Sequence, residues 1–230
     1  MRAMRTLSID IGGTGIKAIT LDLAGEPLTE RTRIETPSPA TPEAVLAVID
    51  ELVKVQHEFD RVSVGFPGVV KEGVIKIAPN LDPSWAGFAL ALDLERRLGK
   101  PARVLNDAAV QGLGVVEGIG FEVVITLGTG MGCAVYLDGK AAGIELAHHP
   151  FRKGETYEEC LGNAARKSAG NKRWNKQVRR AIQQLDALFN YRKLYLGGGN
   201  TKHLDPSELP INVAVVDNLA GLLGGIRLWR

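Results

Sequence analysis

The sequence has 230 residues, of which 45% are hydrophobic and 23% charged, and its formal net charge is +2. This composition is that of a globular protein with one large or two small cores, and it excludes the disordered and fibrous classes. A nearly balanced charge gives no reason to expect nucleic-acid binding. Because no run of about 18 uninterrupted apolar residues occurs, a membrane-spanning helix is not expected either.

The N-terminal residues and the cysteines bear on the expected compartment. Asp10 interrupts the first apolar run too early for the core of a secretory signal peptide. Cys133 and Cys160 are too few for a disulfide scaffold or a four-cysteine zinc site. A reducing cytoplasm is therefore the expected location.

Three β-like runs open the chain. The runs from Thr6 to Ile11 and from Ile16 to Leu21 predict two strands, and Pro27 to Glu35 predicts a third strand of an antiparallel meander. The first two runs are joined by the sequence Asp10-Ile-Gly-Gly-Thr-Gly-Ile-Lys17. Residues 12–15 at its centre are called the first glycine turn below.

The first glycine turn has the composition of a phosphate-binding loop. Gly12 and Gly13 let successive backbone N–H groups converge on an anion, and Thr14 adds a hydroxyl. Asp10 would repel bare phosphate, which favours a role in holding a divalent cation through water, and Lys17 can neutralise charge. An ordinary hairpin with a glycine-rich loop is the alternative interpretation.

The chain then alternates between helical and strand-like patterns as far as residue 105. The predicted elements are a helix from Pro42 to His57, a strand from Arg61, a strand from Val74 to Ala78, a helix from Phe88 to Leu98 and a strand from Ala102 to Leu105. Gly65 lies where the strand from Arg61 runs into a Gly-Phe-Pro-Gly loop, which is a candidate ligand-facing edge. Asn80 is either a turn former or a side chain whose amide supplies the donor and acceptor that a sugar hydroxyl requires.

Asn106 and Asp107 follow the short strand and precede a helix of small residues that begins at Ala108. An aspartate at such a place is commonly a helix cap. It can also be a general base, because a carboxylate aimed at a phosphoryl donor can take the proton from an attacking hydroxyl. We favour Asp107 as a catalytic base because phosphate-type turns occur on both sides of it in the sequence.

A second strand–turn–strand pattern lies about half the chain further on. Strand-like runs from Glu122 to Leu127 and from Cys133 to Leu137 enclose Gly128-Thr-Gly130, called the second glycine turn below. The repetition predicts a duplicated architecture with a phosphoryl donor held between the halves. A third apolar run ends in Gly197-Gly-Gly199, where a backbone can approach a ligand closely.

Downstream of the second glycine turn, acidic and basic residues are segregated. Glu145, His148 and Glu158 are suited to fixing several hydroxyls at once, and no cysteine lies at the spacing of a zinc ligand, so no zinc site is predicted. No acidic residue occurs between Glu159 and Asp186. The basic residues in that interval are Arg166, Lys167, Lys172, Arg173, Lys176, Arg179 and Arg180. They form either the solvated face of a helix or a path for a long polyanion.

The last part of the chain predicts a helix over 174–188, strands from Lys193 to Leu196 and from Ile211 to Val215, and a helix from about Asp217 to Leu228. We place the domain boundary after Asp107. The N-terminal lobe is then residues 1–107 and the C-terminal lobe residues 108–230, and the last helix is a candidate for packing back on the first lobe.

Seven motifs occur in order along nearly the whole chain: Asp10-Ile-Gly-Gly-Thr-Gly-Ile-Lys17, Gly65-Phe-Pro-Gly68, Asn80-Leu-Asp-Pro-Ser-Trp85, Asn106-Asp-Ala108, Leu127-Gly-Thr-Gly-Met-Gly132, Glu145-Leu-Ala-His148 and Leu196-Gly-Gly-Gly-Asn200. Together they resemble the ROK family of sugar kinases and sugar-responsive regulators, and within it the polyphosphate glucokinase branch. The resemblance implies an α/β, two-lobed, actin-like fold of duplicated ribonuclease-H type. Glucose and a phosphoryl donor, polyphosphate or ATP, would meet in its cleft.

The resemblance also implies roles for individual residues. Asp107 would deprotonate the 6-hydroxyl of the sugar. The sugar would be held by Gly65, Asn80, Asn106, Glu145, His148 and Glu158. The donor phosphates and Mg²⁺ would be surrounded by Asp10, Gly12, Gly13, Thr14, Lys17, Gly128, Thr129 and Gly130, and a more distant part of the donor would pass Gly197, Gly198 and Gly199. Lys172, Arg173 and Lys176 are candidates for a polyphosphate path, and a homodimer is expected because relatives are commonly dimers.

Three departures from the family pattern and three alternative functions accompany this resemblance. Ala147 replaces the glycine that usually precedes the histidine, and the cysteine-rich zinc motif of many members is absent. Ala109-Val-Gln111 follows Asn106-Asp107-Ala108, where relatives often place another asparagine or aspartate. The alternatives are a sugar sensor without catalysis, a hexose kinase that uses only ATP, and a metal-dependent phosphohydrolase. Sensors of this family usually carry a helix-turn-helix before the kinase-like part, and the first predicted strand begins near residue 6. The preference between glucose and mannose stays open.

Overall fold

The computed structural model describes residues 3–79, 81–142, 144–216 and 224–229, which form two compact units. The first unit contains the chain up to Gly114 together with the C-terminal segment Gly224–Trp229, and the second unit begins at Val115. The boundary therefore lies after Gly114 and not after Asp107 as the sequence suggested. The reason is that the helix Asp107–Leu113 packs against neighbouring strands of the first unit and against Gly224–Trp229.

The first unit is built on a five-stranded sheet. Its elements are β1 (Thr6–Ile11), β2 (Ile16–Leu21), β3 (Thr32–Ile34), α1 (Pro42–Lys54), β4 (Arg61–Phe66), β5 (Val69–Lys71), β6 (Val74–Ile77), α2 (Leu90–Leu98), β7 (Ala102–Asn106) and α3 (Asp107–Leu113). The strand order is β3-β2-β1-β4-β7, and β5 and β6 pair with each other separately. Strand β1 runs antiparallel to β2 and parallel to β4, which is parallel to β7. The carboxyl ends of β1, β4 and β7 thus lie side by side at one edge.

Local sequence signals account for helix α1. Thr41 is the N-cap, and its side chain accepts a hydrogen bond from the backbone N–H of Ala44, while Pro42 occupies the first turn. The residues Val45, Leu46, Ile49 and Leu52 recur at helical spacing and are buried. They join the sheet residues in one hydrophobic cluster that forms the core of this unit.

The predicted third strand is shorter than the run from Pro27 to Glu35. Only Thr32–Ile34 is a strand, and Pro27 makes an isolated bridge to Leu21. The side-chain oxygen of Thr29 accepts the hydrogen bond of the Thr20 backbone N–H, which a strand partner would otherwise receive. A side-chain acceptor thus replaces one of the two backbone hydrogen bonds of Thr20, whose carbonyl still accepts the backbone N–H of Leu28 at 2.8 Å.

The second unit repeats the same sheet design. Its elements are β8 (Phe121–Leu127), β9 (Met131–Leu137), β10 (Lys140–Ala142), β11 (Pro150–Arg152), β12 (Glu155–Thr156), α4 (Tyr157–Leu161), α5 (Asn163–Ala169), α6 (Asn171–Phe189), β13 (Lys193–Gly197) and β14 (Val213–Val215). The strand order β10-β9-β8-β13-β14 and the strand directions match those of the first unit, with an antiparallel β8–β9 hairpin followed by parallel β13 and β14. The predicted duplication is therefore present in the topology.

Helix α6 shows why the basic segment folds as it does. Trp174, Val178, Ala181, Ile182 and Leu185 recur at helical spacing and are buried in the core of the second unit. The basic side chains fall between these positions. The sequence predicted this helix over 174–188, and it begins three residues earlier, directly after Gly170, whose φ is +76°.

The C-terminal segment Gly224–Trp229 is a 3-10 helix packed on the first unit. Residues 217–223 of the predicted C-terminal helix lie outside the described residues. A methyl group at Gly224 would overlap the carbonyl oxygen of Val110, and one at Gly225 would lie 2.5 Å from the Ser8 hydroxyl oxygen. Trp229 donates a hydrogen bond to the hydroxyl of Ser63. The two glycines thus permit the close approach that fixes this segment.

Among the described residues, no helix has both the length and the apolar character needed to span a bilayer.

Candidate active site

Two carboxylates lie on either side of Gly65 in the first unit. Asp10 pairs with Gly65 across β1 and β4, and Gly65 pairs with Leu105 across β4 and β7. A methyl group at Gly65 would lie 3.3 Å from the Cα of Asp107 and 3.7 Å from Oδ1 of Asp10. Glycine at this position therefore allows Asp10 and Asp107 to share one edge of the sheet.

The environment of Asp107 changes its acidity. Desolvation of the carboxyl group, followed by the negative charge of Asp10, raises the pKa of Asp107 to about 7. The backbone N–H of Ala108, which donates to Oδ1 at 2.7 Å, and the charge of Lys17 oppose this shift. A carboxylate with a pKa near neutrality is suited to general-base catalysis at physiological pH.

Asn106, and not Asp107, caps helix α3. Its Oδ1 accepts a hydrogen bond from the backbone N–H of Ala109 at 3.1 Å, and its Nδ2 donates to the carbonyl of Gly68 at 3.1 Å. The helix-cap role that was the alternative for Asp107 is therefore filled by Asn106. Asn106 holds the start of α3 against the Gly-Phe-Pro-Gly loop, and its contact with a sugar stays a prediction.

The first glycine turn is compact, and its glycines serve close approach instead of unusual torsions. The Gly12 backbone N–H donates to the carbonyl of Gly15 at 3.1 Å, and a methyl group at Gly12 would lie 2.9 Å from that oxygen. None of its glycines is among those with positive φ. A methyl group at Gly13 would have no described atom within 4 Å, so this part of the turn is open to a ligand.

A cationic side chain, Arg33, covers the other end of the first glycine turn. Its Nη2 donates to the carbonyl of Thr14 at 2.7 Å, and its Nε would lie 2.5 Å from a methyl group at Gly15. Arg33 belongs to β3, which pairs with β2. No local sequence signal links Arg33 to a turn so far away in the chain, so its position at this turn could not be predicted.

The residues around Asp10 can accommodate a magnesium ion. Asp10 and Lys17 form an ion pair of 2.7 Å, and their side chains are 31% and 33% exposed. Mg²⁺ is usually held by one or two carboxylates together with waters and substrate phosphates. Asp10 fits that pattern, and Mg²⁺ bound there would neutralise phosphate charge. Among the described residues, no group of three or more histidine, cysteine, aspartate or glutamate side chains is placed to hold a metal without a substrate.

The second glycine turn is held by three residues that are far from it in the sequence. Asn163 donates its backbone N–H to the carbonyls of Gly128 and Thr129, both at 3.1 Å. Asn200 donates its side-chain amide to the carbonyl of Gly128 at 2.8 Å. Glu158 accepts the backbone N–H of Met131, which directly follows the turn, at 3.3 Å. This support predefines the shape of the turn before any ligand arrives.

The acidic and imidazole side chains predicted to hold a sugar lie near each other in the second unit. His148 Nδ1 and Glu145 Oε1 are 3.4 Å apart, and the two side chains are 53% and 38% exposed, so both are accessible. Ala147, which stands in place of the usual glycine, is buried, and its carbonyl accepts the backbone N–H of Glu158 at 2.9 Å. Asn80, which is also predicted to bind the sugar, lies outside the residues that the structure describes.

A polar pocket of about 440 Å³ lies beside the second glycine turn. It is lined by Gly128, Thr129, Asn163, Arg166, Lys167, Gly199, Asn200, Lys202 and His203, and is called the basic pocket below. Three of these side chains are cationic and none is a carboxylate. Desolvation, reinforced by the charges of Arg166 and Lys202, lowers the pKa of His203 below its usual value. The chemistry of this lining matches an anionic ligand.

Two details show how the basic pocket is built. The Arg166 guanidinium is fixed by Asn171 and Asn163, at 3.1 and 3.0 Å, while its buried Nε has no hydrogen-bond partner among the described residues. Gly198 has a φ of +94°, and a methyl group there would overlap the backbone of Leu127. Only glycine fits at position 198, and this close packing on Leu127 brings the next residue, Gly199, to the wall of the basic pocket.

Part of the basic run lines the basic pocket and part of it does not. Arg166 and Lys167 line the basic pocket, whereas Lys172, Arg173 and Lys176 are exposed on α6 and are not part of its lining. Lys202 and His203 line it from outside the run. A signal for these two was present in the sequence, because they lie two and three residues after Gly197–Asn200.

The comparisons with known proteins bear on these features. The family model described as "ROK family" matches residues 6–145, which is more than half of the chain. The chain belongs to the ROK family. This ROK protein is 32% identical to the polyphosphate glucokinase of Mycobacterium tuberculosis (strain CDC 1551 / Oshkosh) over 232 residues, covering 94% of this chain and 88% of the relative.

Solved structures agree with this assignment. The inorganic polyphosphate/ATP-glucomannokinase from Arthrobacter sp. strain KM is 33% identical, with a TM-score of 0.86 that covers 99% of this ROK protein and 100% of the neighbour. A ROK family glucokinase from Streptomyces griseus has a TM-score of 0.76 at 22% identity, with 97% and 98% of the two chains covered, which supports the fold alone. The predicted family and the predicted actin-like kinase fold are confirmed.

Proposed function

We propose that this protein transfers a phosphoryl group from polyphosphate or ATP to the 6-hydroxyl of glucose. Its similarity to a polyphosphate glucokinase and to a polyphosphate/ATP-glucomannokinase supports this reaction. The observation that carries the proposal is the placement of Asp107 beside Asp10 across Gly65, with the pKa of Asp107 raised to about 7.

Asp107 acts as the general base in this proposal. Phosphoryl transfer depends mainly on positioning and on charge stabilisation, and the base aligns the attacking hydroxyl and accepts its proton. Oδ1 accepts the N–H of Ala108, which fixes the orientation of the carboxyl group. Glu145, His148 and Glu158, with Gly65, Asn80 and Asn106, are the proposed sugar-binding residues.

The second glycine turn and the basic pocket bind the donor in this proposal. Arg166, Lys167 and Lys202 supply positive charge beside Gly128 and Thr129, and Arg166 is held in place by two asparagines. Such fixed cations attract a chain of phosphates of either donor. The first glycine turn with Lys17 would contact the donor's phosphates, and Asp10 would hold Mg²⁺ through water. We also propose that the protein is a homodimer and is located in the cytoplasm.

One coupled assay tests the proposed function. The purified protein is given glucose with either ATP or long-chain polyphosphate, and glucose 6-phosphate is measured with and without Mg²⁺. Glucose-dependent product with at least one donor, lost on chelation of Mg²⁺, is the expected result. Donor consumption that glucose does not stimulate would instead indicate a phosphohydrolase, and glucose binding without product would indicate a sensor. Mannose in a parallel reaction determines the acceptor preference.

A further inference from the structure

The side chain of Glu158 lies directly on the second glycine turn. Its Oε2 accepts the backbone N–H of Met131 at 3.3 Å. A methyl group at Gly130 would overlap that same oxygen and lie 2.8 Å from Cδ of Glu158. The carboxylate therefore fills the space that a side chain at position 130 would need, and Gly130 is required by this contact and not by its φ angle.

Helix α4 contacts the same turn from its other end. A methyl group at Gly162, which follows α4, would lie 2.9 Å from the carbonyl oxygen of Thr129. The next residue, Asn163, donates its backbone N–H to Gly128 and Thr129. Both ends of this short helix thus hold the second glycine turn, Glu158 by its side chain and residues 162–163 by their backbone.

The start of α4 is also bonded to the loop that carries Glu145 and His148. The backbone N–H of Glu158 donates to the carbonyl of Ala147 at 2.9 Å, and that of Tyr157 donates to the carbonyl of His149 at 3.2 Å. Thr156 and Glu159 form a capping box that fixes the first turn of α4. One helix therefore connects the proposed sugar-binding loop with the proposed donor turn.

We infer that Glu158 is a positioning residue for the donor, which acts by holding the Gly130–Met131 backbone, in addition to the sugar contact expected of it. This inference rests on the proposed function. It distinguishes Glu158 from Glu145 and His148, for which no bond to the turn is seen among the described residues. A change at Glu158 should therefore alter the use of the donor as well as the use of glucose.

The first test compares Glu158→Asp with Glu159→Gln. In Glu158→Asp the charge is kept, but the carboxylate is withdrawn from Met131 by one methylene group. In the control variant Glu159→Gln, the glutamine on the exposed side of α4 can still accept the hydrogen bonds of Thr156. Loss of a turn-positioning contact should raise the KM for polyphosphate about fivefold or more in Glu158→Asp. Glu159→Gln should stay within about twofold of the wild type. An increase in the KM for glucose alone would overturn the inference.

The second test is a double-mutant cycle with Gly130→Ala. The methyl group should displace Glu158 and raise the donor KM in the wild-type background. The shorter side chain of Glu158→Asp makes room for it, so the double variant should be less impaired than the product of the two single effects. Equal effects of Gly130→Ala in both backgrounds would contradict a contact through Glu158.

A binding measurement separates this inference from the proposed function. Titration calorimetry with tripolyphosphate, without sugar, reports on the donor turn whether or not glucose is phosphorylated. Weaker tripolyphosphate binding by Glu158→Asp, with an unchanged melting temperature, supports the inference even if the kinase assay fails. Unchanged tripolyphosphate binding in a variant that has lost glucose phosphorylation would leave Glu158 as a sugar ligand alone and overturn the inference.

Discussion

The two glycine turns join equivalent strands of two equivalent sheets, β1 to β2 and β8 to β9, yet they are supported by side chains of opposite charge. The Arg33 guanidinium covers Gly15 in the first turn, and the Glu158 carboxylate covers Gly130 in the second. In both cases glycine leaves room for that side chain. The duplicated sequence pattern thus specifies the turn, while residues far away in the chain specify its electrostatic character.

The charged residues in the wider neighbourhood of the two turns also differ. Asp10 and Asp107 lie near the first turn, and Lys17 pairs with Asp10. Desolvation of Asp107, followed by the charge of Asp10, raises the pKa of Asp107 to about 7. Beside the second turn lies the basic pocket, without any carboxylate in its lining. Under the proposed function, the first unit would supply the base and the second unit would supply positive charge for the donor.

The largest expected effect comes from removing the base. Asp107→Asn should lower kcat by about 10²–10⁴ while leaving glucose affinity within about threefold, because only proton acceptance is lost. Steady-state kinetics and calorimetric binding of glucose measure the two quantities. Asp186→Asn, an exposed position on α6, is the matched control. Near-normal turnover by Asp107→Asn would show that Asp107 is not the base, and the first unit would then supply no catalytic group.

Charge reversal in the second unit should give the next largest effect. Lys167→Glu with Lys202→Glu places two negative charges in the basic pocket, which should raise the KM for both donors by about tenfold. Lys100→Glu with Lys140→Glu, two exposed positions, makes the same change in net charge and should have little effect. An equal loss in both double variants would show that only the overall charge matters.

Reversal of the exposed lysines and arginine on α6 should act more selectively. Lys172→Glu, Arg173→Glu and Lys176→Glu together should weaken the use of long-chain polyphosphate several-fold, because a long polyanion gains from each added surface cation, at about 0.2–1 kcal/mol apiece. The use of ATP should change much less, since its three phosphates are short. Comparison of kcat/KM for the two donors measures this difference. Equal losses with both donors would contradict a polyphosphate path on α6.

The raised pKa of Asp107 also predicts a pH-dependent stability difference. An unfolded aspartate loses its proton near pH 3.9, whereas the folded carboxyl keeps it to about pH 7. The wild type therefore loses stability between these values as the pH rises, because unfolding releases a proton. The asparagine side chain of Asp107→Asn does not titrate, so the melting temperature of this variant relative to the wild type should rise from pH 4 to 7 and then level off. A constant difference across this range would show that the pKa is not raised.

Much of this arrangement could be predicted from the sequence, and the reasons for the rest are physical. The bounds of Thr6–Ile11 and Ile16–Leu21 were predicted correctly, because a continuous apolar run bounded by a glycine turn is a local signal. Asp107 follows a strand and precedes a helix, and it was selected because phosphate-type turns occur on both sides of it, which the sequence also shows. Arg33 and Glu158 reach their turns only through tertiary folding, and the sequence contains no adjacent signal for either contact.

The smallest effect should follow from Arg33→Gln, which tests whether the opposite charges on the two turns have equal importance. Arg33 is exposed, and its one described hydrogen bond, to the carbonyl of Thr14, can be replaced by water. Because the bond is exposed and water can replace it, its loss should cost about 0.5 kcal/mol, the lower end of the range for protein hydrogen bonds, so the donor KM should rise by no more than about threefold. Glu158 is half-buried and fills the space above Gly130, so its loss should cost more. A tenfold increase for Arg33→Gln, diminished at high ionic strength, would instead place its guanidinium on the donor phosphates and make the first turn an equal partner in donor binding.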